Sequence, residues 1–395
     1  MISIYILWLF IFLLLVLLFK LLDVKKNYIM CFLITIFIII FVVNLKTSID
    51  SAINGAKLVV SAILPTIFPF SVICNLLICY DGITLYSKIL GPLICKPLGL
   101  SKSSSFPLAA SFICGYPLGA KYSSDIYKLG YIHKDEYERL LNIASNAGPI
   151  FILGSVAVAM LNNINYGYIL LIANYLSCFI IGFITKKQSK SKTKEVETNI
   201  PLKEANFGSY LKTSIEGAIN TTLNVSAFVI IFSVVISIIK STTSISAAFN
   251  FIEKLIKLPN GILYNLFLGS IEFTNGCKLI SSINLGISLK LSIISFILCF
   301  SSLSVIAQVS SIVSNDNPNF KKYISIKFLQ GILGFIITFI SSTFILTSIP
   351  TFNYSNSYTN KIILYKIFIT LIILLIIPLI FSIIFKFLKS KLHSS

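Results

Sequence analysis

Runs of about 20 apolar residues, repeated along most of the 395-residue chain, are the feature that most limits its fold. Each run is long enough to cross a bilayer as a helix, and a soluble core has no room for so many. The composition agrees, because 56% of the residues are hydrophobic and only 12% are charged. We therefore expect an all-α polytopic membrane protein. The pattern predicts about nine spanning helices, near residues 3–22, 28–45, 56–80, 139–161, 164–185, 210–240, 288–313, 323–348 and 361–386.

The formal net charge of +18 comes from basic residues that cluster between the apolar runs. This placement argues against nucleic acid as a partner and indicates cytoplasmic loops beside a lipid bilayer. Met1–Leu22 lacks a basic start and a small-residue cleavage site, so we expect a first transmembrane helix and not a signal peptide. The charge pattern predicts an outside N-terminus, an inside C-terminus and an outside link at 348–360. The lysine-rich stretches assigned to the cytoplasm are 20–26, 88–102, 121–139, 186–212, 321–327 and 386–391.

Two short polar segments interrupt the apolar pattern. They are F-I-C-G-Y-P-L-G-A-K at Phe112–Lys121 and S-I-E-F-T-N-G-C-K at Ser270–Lys278. Each contains Gly, a charge, and either Pro or Asn-Gly, and a continuous transmembrane helix does not accommodate that mixture, because a broken backbone leaves amides unpaired in hydrocarbon. Interrupted segments at matching positions of two halves point to the binding site of a transporter.

The charge pattern also predicts how these segments meet the membrane. Basic residues flank Ser103–Ala120 on both sides, so this segment is expected to enter and leave from the cytoplasm as a re-entrant hairpin. Gly261–Ile280 follows a helix that exits outward and precedes one that returns inward, so a second hairpin is expected from the opposite face. Amphipathic stretches at 85–98 and 245–258 are expected to lie along the membrane surface before each hairpin.

The two halves therefore have the same predicted order of elements in opposite orientation, an inverted-topology repeat. Gly119 and Lys121 recur as Gly276 and Lys278, 157 positions later, although chance identity is the alternative in a chain so rich in Ile, Leu and Ser. We therefore expect five parts along the chain. Transmembrane helices at 1–49 precede a first repeat at 50–185, which contains hairpin 103–120. A lysine-rich linker at 186–209 leads to a second repeat at 210–348 with hairpin 261–280, and a transmembrane helix with a basic tail follows at 349–395.

Glu216 and Glu272 are the two acidic residues that the pattern places inside the apolar region. Ionisable residues at membrane depth are expensive and are functional candidates by default. For Glu216 the alternative is a place at the helix entrance beside Lys212. For Glu272 the alternative is a buried ion pair that holds the hairpin together.

We expect the substrate site where the two hairpin tips meet, with Lys121 and Lys278 as a cation pair for an anionic substrate. Helix N-termini at the tips would add to the attraction for negative charge. The alternative is that both lysines extend to opposite membrane surfaces as anchors. The other residues expected to line the site are Gly119, Gly276, Tyr116, Asn275, Glu272, Ser145, Asn146, Ser304 and Gln308.

The chain offers little for catalysis or metal binding. Its eight cysteines include no Cys-x-x-Cys pair, and only two histidines could join them. Neither a nucleophile–base pair nor a phosphate-binding loop is found, so we expect no enzyme, no metal and no cofactor.

From about residue 50 to residue 345 the chain resembles the sporulation integral membrane protein family YlbJ (SpoVV), part of the wider nucleoside-recognition or gate group. The resemblance is carried by L-P-T-I-F-P-F-S-V-I-C-N-L-L, F-I-C-G-Y-P-L-G-A-K, S-N-A-G-P-I-F-I-L-G-S-V and G-S-I-E-F-T-N-G-C-K. It implies gate-like repeats with a nucleoside-transporter-like fold. It also implies a place in the outer forespore membrane, on the mother-cell side, and import of dipicolinic acid during endospore formation.

Dipicolinate is a flat pyridine with two carboxylates, both ionised near neutral pH. Lys121 and Lys278 could each hold one carboxylate, and the rings of Phe112, Tyr116 and Phe273 could face the pyridine. Glu272 would repel the dianion unless it is protonated or paired, which leaves proton coupling or a structural role open; a sodium ion is the other coupling candidate. A carrier for nucleosides or other small solutes and a non-transporting sporulation scaffold remain as alternatives.

Overall fold

The computed structural model describes residues 25–186 and 206–347, together with Leu14. The expected helices at 3–22 and 361–386, most of the 186–209 linker and the 349–395 tail lie outside the described residues. Within the described ranges every regular element is helical. The α-helices of eight or more residues, in chain order, are α1 Lys26–Val43, α2 Leu45–Leu58, α3 Leu64–Cys79, α4 Gly82–Ile89, α5 Ser105–Cys114, α6 Leu118–Lys128, α7 Lys134–Ile143, α8 Ile164–Ile184, α9 Phe207–Ser241, α10 Thr243–Leu255, α11 Ile262–Ile271, α12 Phe273–Ser282, α13 Ile287–Phe300, α14 Ser302–Ile312 and α15 Phe320–Thr347.

Four described segments are long and apolar enough to cross a membrane. They are Ile164–Ile184, Phe207–Ser241, Ile287–Ile312 and Phe320–Phe344. Two bent helix pairs, one with a bend of 97° and the other with a bend of 91°, raise the number to six if each pair counts as one span. The protein is thus an all-helical integral membrane protein over its described part.

The described residues form two compact units. The smaller unit takes the residues up to Leu58 together with Val229–Tyr264. In this unit Glu253 is fully buried, and its carboxylate accepts the backbone N–H groups of Gly261, Leu263 and Tyr264. It therefore caps the start of α11, where the helix dipole favours a negative charge.

The larger unit takes Val59–Phe228 and the residues from Asn265 onward. It begins with a π-helical turn, Val59–Ile63, which interrupts the helix expected at 56–80. Pro65 lies in the first turn of α3, where its missing N–H costs nothing, and Pro69 lies inside the helix.

The first polar segment folds as a helical hairpin, hairpin 1, in which α5 and α6 pack on each other. The tip is Gly115-Tyr116-Pro117, with a cis peptide bond before Pro117. Gly115 has φ +85°, and a Cβ there would lie 2.5 Å from the backbone nitrogen of Gly148. Only glycine satisfies both the dihedral angle and the close approach of the two backbones.

The second polar segment folds as hairpin 2, formed by α11 and α12 with Glu272 between them. Gly269 and Gly276 face each other so closely that a Cβ on Gly276 would overlap the Cα of Gly269. The two short helices can therefore pack with their backbones almost in contact.

Each hairpin is followed by a broken helix. The continuous helix expected at 139–161 is wrong, because α7 ends at Ile143 and a π-helix, Ile150–Met160, begins only after a non-helical stretch. That stretch holds Gly148 and Pro149, and the latter offers no N–H to an α-helical ladder. The helix expected at 288–313 is interrupted at Ser301, which has φ +71°.

The two halves follow the same order of elements: a long apolar segment, a shorter helix, a hairpin, a broken helix and a closing helix (α8 or α15). The hairpin turns at Gly115 and Glu272 are 157 positions apart, as are Gly119 and Gly276. Contacts between the halves are also reciprocal, because α6 packs on α14 and α12 packs on the π-helix.

Candidate functional site

The hairpin tips meet, as the sequence predicts. The Tyr116 ring contacts the Phe273 ring edge to face, with centroids 5.2 Å apart and planes at 86°. Phe151 in the π-helix meets the other side of Phe273 at 4.9 Å. Both tip rings also pack on a buried cluster that includes Val305 and Val309 of α14. The two hairpins and both broken helices therefore converge on one place.

Two helix N-termini lie at this junction, and they differ in how their N–H groups are satisfied. At the start of α12 the Glu272 carboxylate accepts the backbone N–H groups of Thr274 and Asn275 at 2.9 and 2.8 Å. The Asn275 side-chain amide donates to the same carboxylate at 2.9 Å. Glu272 is thus a buried helix cap, 7% exposed, and it forms no ion pair with any residue that the structure describes.

The start of α6 has no such cap. Its N-cap is Pro117, and no acceptor among the described residues takes the N–H groups of Leu118, Gly119 and Ala120, all of which are buried. The Tyr116 hydroxyl just before them is also buried without a hydrogen-bond partner among the described residues. Buried donors without acceptors are uncommon in folded proteins and mark places where water or a ligand completes the structure.

The break at 144–149 is joined to hairpin 1 and to distant helices by buried hydrogen bonds. The Tyr116 N–H donates to the Asn146 carbonyl at 2.7 Å. The Asn146 side chain donates to Ser111 and accepts from Gln330 on α15. Ser145, the other polar residue expected here, accepts a hydrogen bond from the Tyr323 hydroxyl at 3.0 Å. Ser145 and Asn146 are fully buried, and this network fixes the shape of the break.

Lys327 belongs to this buried network, which the charge pattern does not predict. It was assigned to the cytoplasmic stretch 321–327, but its side chain is fully buried on α15. Its ammonium donates to the Ser145 carbonyl at 2.6 Å and to the Gln330 side-chain oxygen at 2.7 Å. The sequence does contain a pattern that indicates this burial. Polar or small residues recur every three or four positions through an otherwise apolar helix, so they share one face, which points inward. These residues are Tyr323, Lys327, Gln330, Gly331, Gly334, Thr338 and Ser342.

Lys121 lines a cavity of about 340 Å³ beside α3, α6 and α9. Its ammonium donates to the Asn75 side-chain oxygen and to the Asp125 carboxylate, both at 3.0 Å. It also lies 4.3 Å from the centre of the Tyr122 ring. Asn75 in turn donates to the Ser214 carbonyl at 3.0 Å. The Lys121 charge is therefore already balanced by a neighbouring carboxylate.

The other predicted site residues fall in three groups. Lys278 is exposed on α12, and none of the described contacts joins it to Lys121. Gly119 and Gly276 serve close packing, the former against the Ala144 carbonyl. Ser304 and Gln308 are buried on α14, the helix that packs on both tips; Ser304 shares a hydrogen bond of 3.0 Å with Ser302.

The expectation that Glu216 and Glu272 are the acidic residues inside the apolar region needs correction. Glu216 is exposed beside Lys212, as its alternative assignment predicts. Asp316, which is not among the expected residues, is buried between α14 and α15. It accepts from Ser124 at 2.6 Å and from Tyr137 at 2.7 Å, and it pairs with Lys128 at 3.3 Å. Burial, and secondarily the hydrogen bond to Asp316, raises the pKa of the Tyr137 hydroxyl, so that this hydroxyl stays protonated and remains a donor.

Comparison with known proteins agrees with the resemblance seen in the motifs. Residues 60–140 match the family model Gate, described as nucleoside recognition. The chain is 27% identical over 308 residues to Sporulation integral membrane protein YlbJ of Bacillus subtilis (strain 168), covering 73% of this chain and 76% of that protein. These two matches confirm the expected resemblance.

Two solved structures are also similar. One is CNTnw in an inward-facing substrate-bound state, at 17% identity, with 76% of this chain and 83% of that chain covered and a TM-score of 0.45. The other is a doubly substituted CNTnw in an outward-facing state, at 16% identity, with coverage of 82% and 89% and a TM-score of 0.45.

Proposed function

We propose that this protein is a transporter for a small organic anion, dipicolinate, which it moves across the outer forespore membrane during endospore formation. The meeting of the two hairpin tips beside two broken helices carries the proposal. Interrupted helices expose backbone donors and acceptors that a continuous helix keeps paired, and membrane transporters build their substrate sites from such groups. The similarity to a sporulation integral membrane protein supports the cellular setting.

The uncapped start of α6 is the anion-binding element of this proposal. The free N–H groups of Leu118, Gly119 and Ala120 and the Tyr116 hydroxyl are four donors next to one another in the chain. A helix N-terminus attracts a carboxylate through these donors and through its dipole. Lys121 lies one turn further along the same helix and offers an ammonium group that would have to exchange its partner Asp125 for the substrate. The Phe273 ring offers an apolar face for a flat substrate.

The repeated order of elements supports an inverted-topology repeat with two re-entrant hairpins, in which the substrate binds near the bilayer midplane. The 157-residue spacing of Gly115 and Glu272 and the reciprocal packing of α6 and α12 on the opposite broken helices support it as well.

A carrier for nucleosides or other neutral solutes is the second candidate. The match of residues 60–140 to a nucleoside-recognition model favours it, and that range contains hairpin 1. The balanced charge of Lys121 and Asp125 also suits a neutral substrate, because such a substrate needs no surplus of positive charge.

Uptake by the purified protein in liposomes separates the candidates. We expect labelled dipicolinate to exchange across the membrane and to be blocked by unlabelled dipicolinate but not by nucleosides. Exchange of uridine or adenosine without dipicolinate would favour the second candidate. A protein that is folded but exchanges neither solute would refute transport and leave the scaffold role.

Tyr116→Phe tests the site itself, because it removes one oxygen atom and keeps the ring that packs on Phe273. Losing a donor to a charged ligand costs about 1.5–3 kcal/mol, so we expect the apparent affinity for dipicolinate to fall roughly 10- to 100-fold. Tyr168→Phe is the matched control, because Tyr168 on α8 also carries a buried hydroxyl without a partner in the described structure. Equal effects of the two substitutions would place the substrate elsewhere.

A further inference from the structure

Lys327 is a buried cation without a carboxylate partner among the described residues. Its side chain is fully buried in the apolar helix α15, and its ammonium hydrogen-bonds only to neutral oxygens, those of Ser145 and Gln330. Transferring an isolated charge into such a place is very costly, so a lysine that serves only packing is not expected there. We therefore expect the positive charge of Lys327 to have a functional role.

The Ser145 carbonyl that binds Lys327 belongs to the break between α7 and the π-helix. A broken helix frees carbonyl oxygens from the helical ladder, and transporters use such oxygens to hold a coupling Na⁺ or H⁺. At this break the Asn146 carbonyl takes the Tyr116 N–H, and the Ala147 carbonyl takes the Asn174 side chain. The Ser145 carbonyl accepts from the Lys327 ammonium at 2.6 Å, so a cationic group occupies this part of the break.

We propose that Lys327 is the coupling site of this transporter: its ammonium stands where a free sodium ion would bind at the break, and the proton it carries is exchanged during the transport cycle. Transfer of that proton to a water molecule breaks one N–H bond, leaves the electron pair on a neutral amine and forms a hydronium ion. The amine keeps two N–H donors but loses the charge that makes its hydrogen bonds to Ser145 and Gln330 strong. The break, and with it the Tyr116 tip attached to Asn146, is then free to rearrange.

The surroundings of Lys327 suit proton exchange. The titratable groups that face it are the thiols of Cys178 on α8 and Cys299 on α13, and the Tyr323 hydroxyl one turn earlier on its own helix. The break segment contributes only carbonyl, hydroxyl and amide groups. On α7 the carboxylate of Glu138 accepts from the Asn319 N–H, eight residues before Lys327 and so about 12 Å away along the helix.

This inference rests on the proposed function, so the test first measures exchange of dipicolinate, or of uridine if that is the accepted substrate, in sodium-free proteoliposomes. Exchange requires no net coupling, and its absence would refute the proposed function. Net uptake is then driven either by a pH difference of one unit or by a sodium gradient. A one-unit difference is tenfold in proton concentration, so we expect it to shift accumulation about tenfold per proton, whereas sodium has no effect. Uptake that follows sodium and ignores pH would overturn the inference while leaving transport intact.

Lys327→Arg keeps a positive charge that does not release its proton, and we expect it to exchange substrate but to lose substrate-driven proton movement, as read by an internal pH dye. Lys327→Gln removes the charge and should lose both the proton movement and part of the thermal stability. Lys322→Gln, exposed on the same helix, is the control and should behave like the parent protein. Retained proton movement in any folded Lys327 variant would refute the role.

Discussion

Gly276→Ala gives the sharpest test of how hairpin 2 is built. A Cβ at this position would overlap the Gly269 Cα and lie 3.1 Å from the Gly269 nitrogen, inside ordinary van der Waals contact. The atoms it meets belong to a backbone, which cannot rotate aside as a side chain can. The two helices of the hairpin must therefore separate, and the tip that carries Glu272 and Phe273 must move with them.

Two opposing effects decide the sign of the change in stability. Alanine is about 0.8–1.0 kcal/mol better than glycine inside a helix, which favours the variant. Overpacking a close contact costs typically about 1–3 kcal/mol, and a contact with rigid backbone belongs at the upper end of that range. We expect Gly276→Ala to lower the free energy of unfolding by about 1–2 kcal/mol after the helical gain is subtracted.

Thermal unfolding of the purified protein in detergent measures this effect, with substrate exchange in liposomes as a second readout. Gly154→Ala in the π-helix is the matched control, because a Cβ there meets nothing within 4 Å, and its expected change is zero or a small gain. Gly269→Ala should be milder than Gly276→Ala, since its closest neighbour is the end of the flexible Ile297 side chain at 2.5 Å. An unchanged or raised Tm for Gly276→Ala would refute the close packing of hairpin 2.

Two further predictions concern charged residues. Asp316→Asn should lower the free energy of unfolding by about 2–4 kcal/mol, because the carboxylate accepts two short hydrogen bonds in a buried place. Lys128→Gln should cost less than about 1 kcal/mol, since that side chain is 48% exposed; equal Tm values for the two variants would contradict the role of Asp316. Lys121→Gln should reduce dipicolinate uptake about tenfold or more through loss of a charged contact, whereas exposed Lys278→Gln should leave it almost unchanged. A strong loss in Lys278→Gln would restore the two-lysine hypothesis.

The sequence alone determined the membrane class and the positions of the two polar segments that form the hairpins. Gly115, Pro117 and Gly276 act on the backbone locally, so both hairpin segments could be predicted without knowledge of their neighbours. The meeting of the two tips was expected as well, whereas the direct contact between the Tyr116 and Phe273 rings was not. The resemblance to the gate group rests on these same local motifs.

Only the tertiary structure decided which charges are buried and what satisfies them. Lys327 looks like a loop lysine in sequence, and its partner Ser145 lies 182 positions away. The Asp316 carboxylate likewise takes its donors from hairpin 1 and α7, 192 and 179 positions distant. A charge can be buried only where distant helices supply its hydrogen-bond acceptors or donors. The hydropathy of the chain does not show which distant residues these are. The break at 144–149 follows the same rule, because its freed carbonyls are stable only where Tyr116, Asn174 and Lys327 reach them.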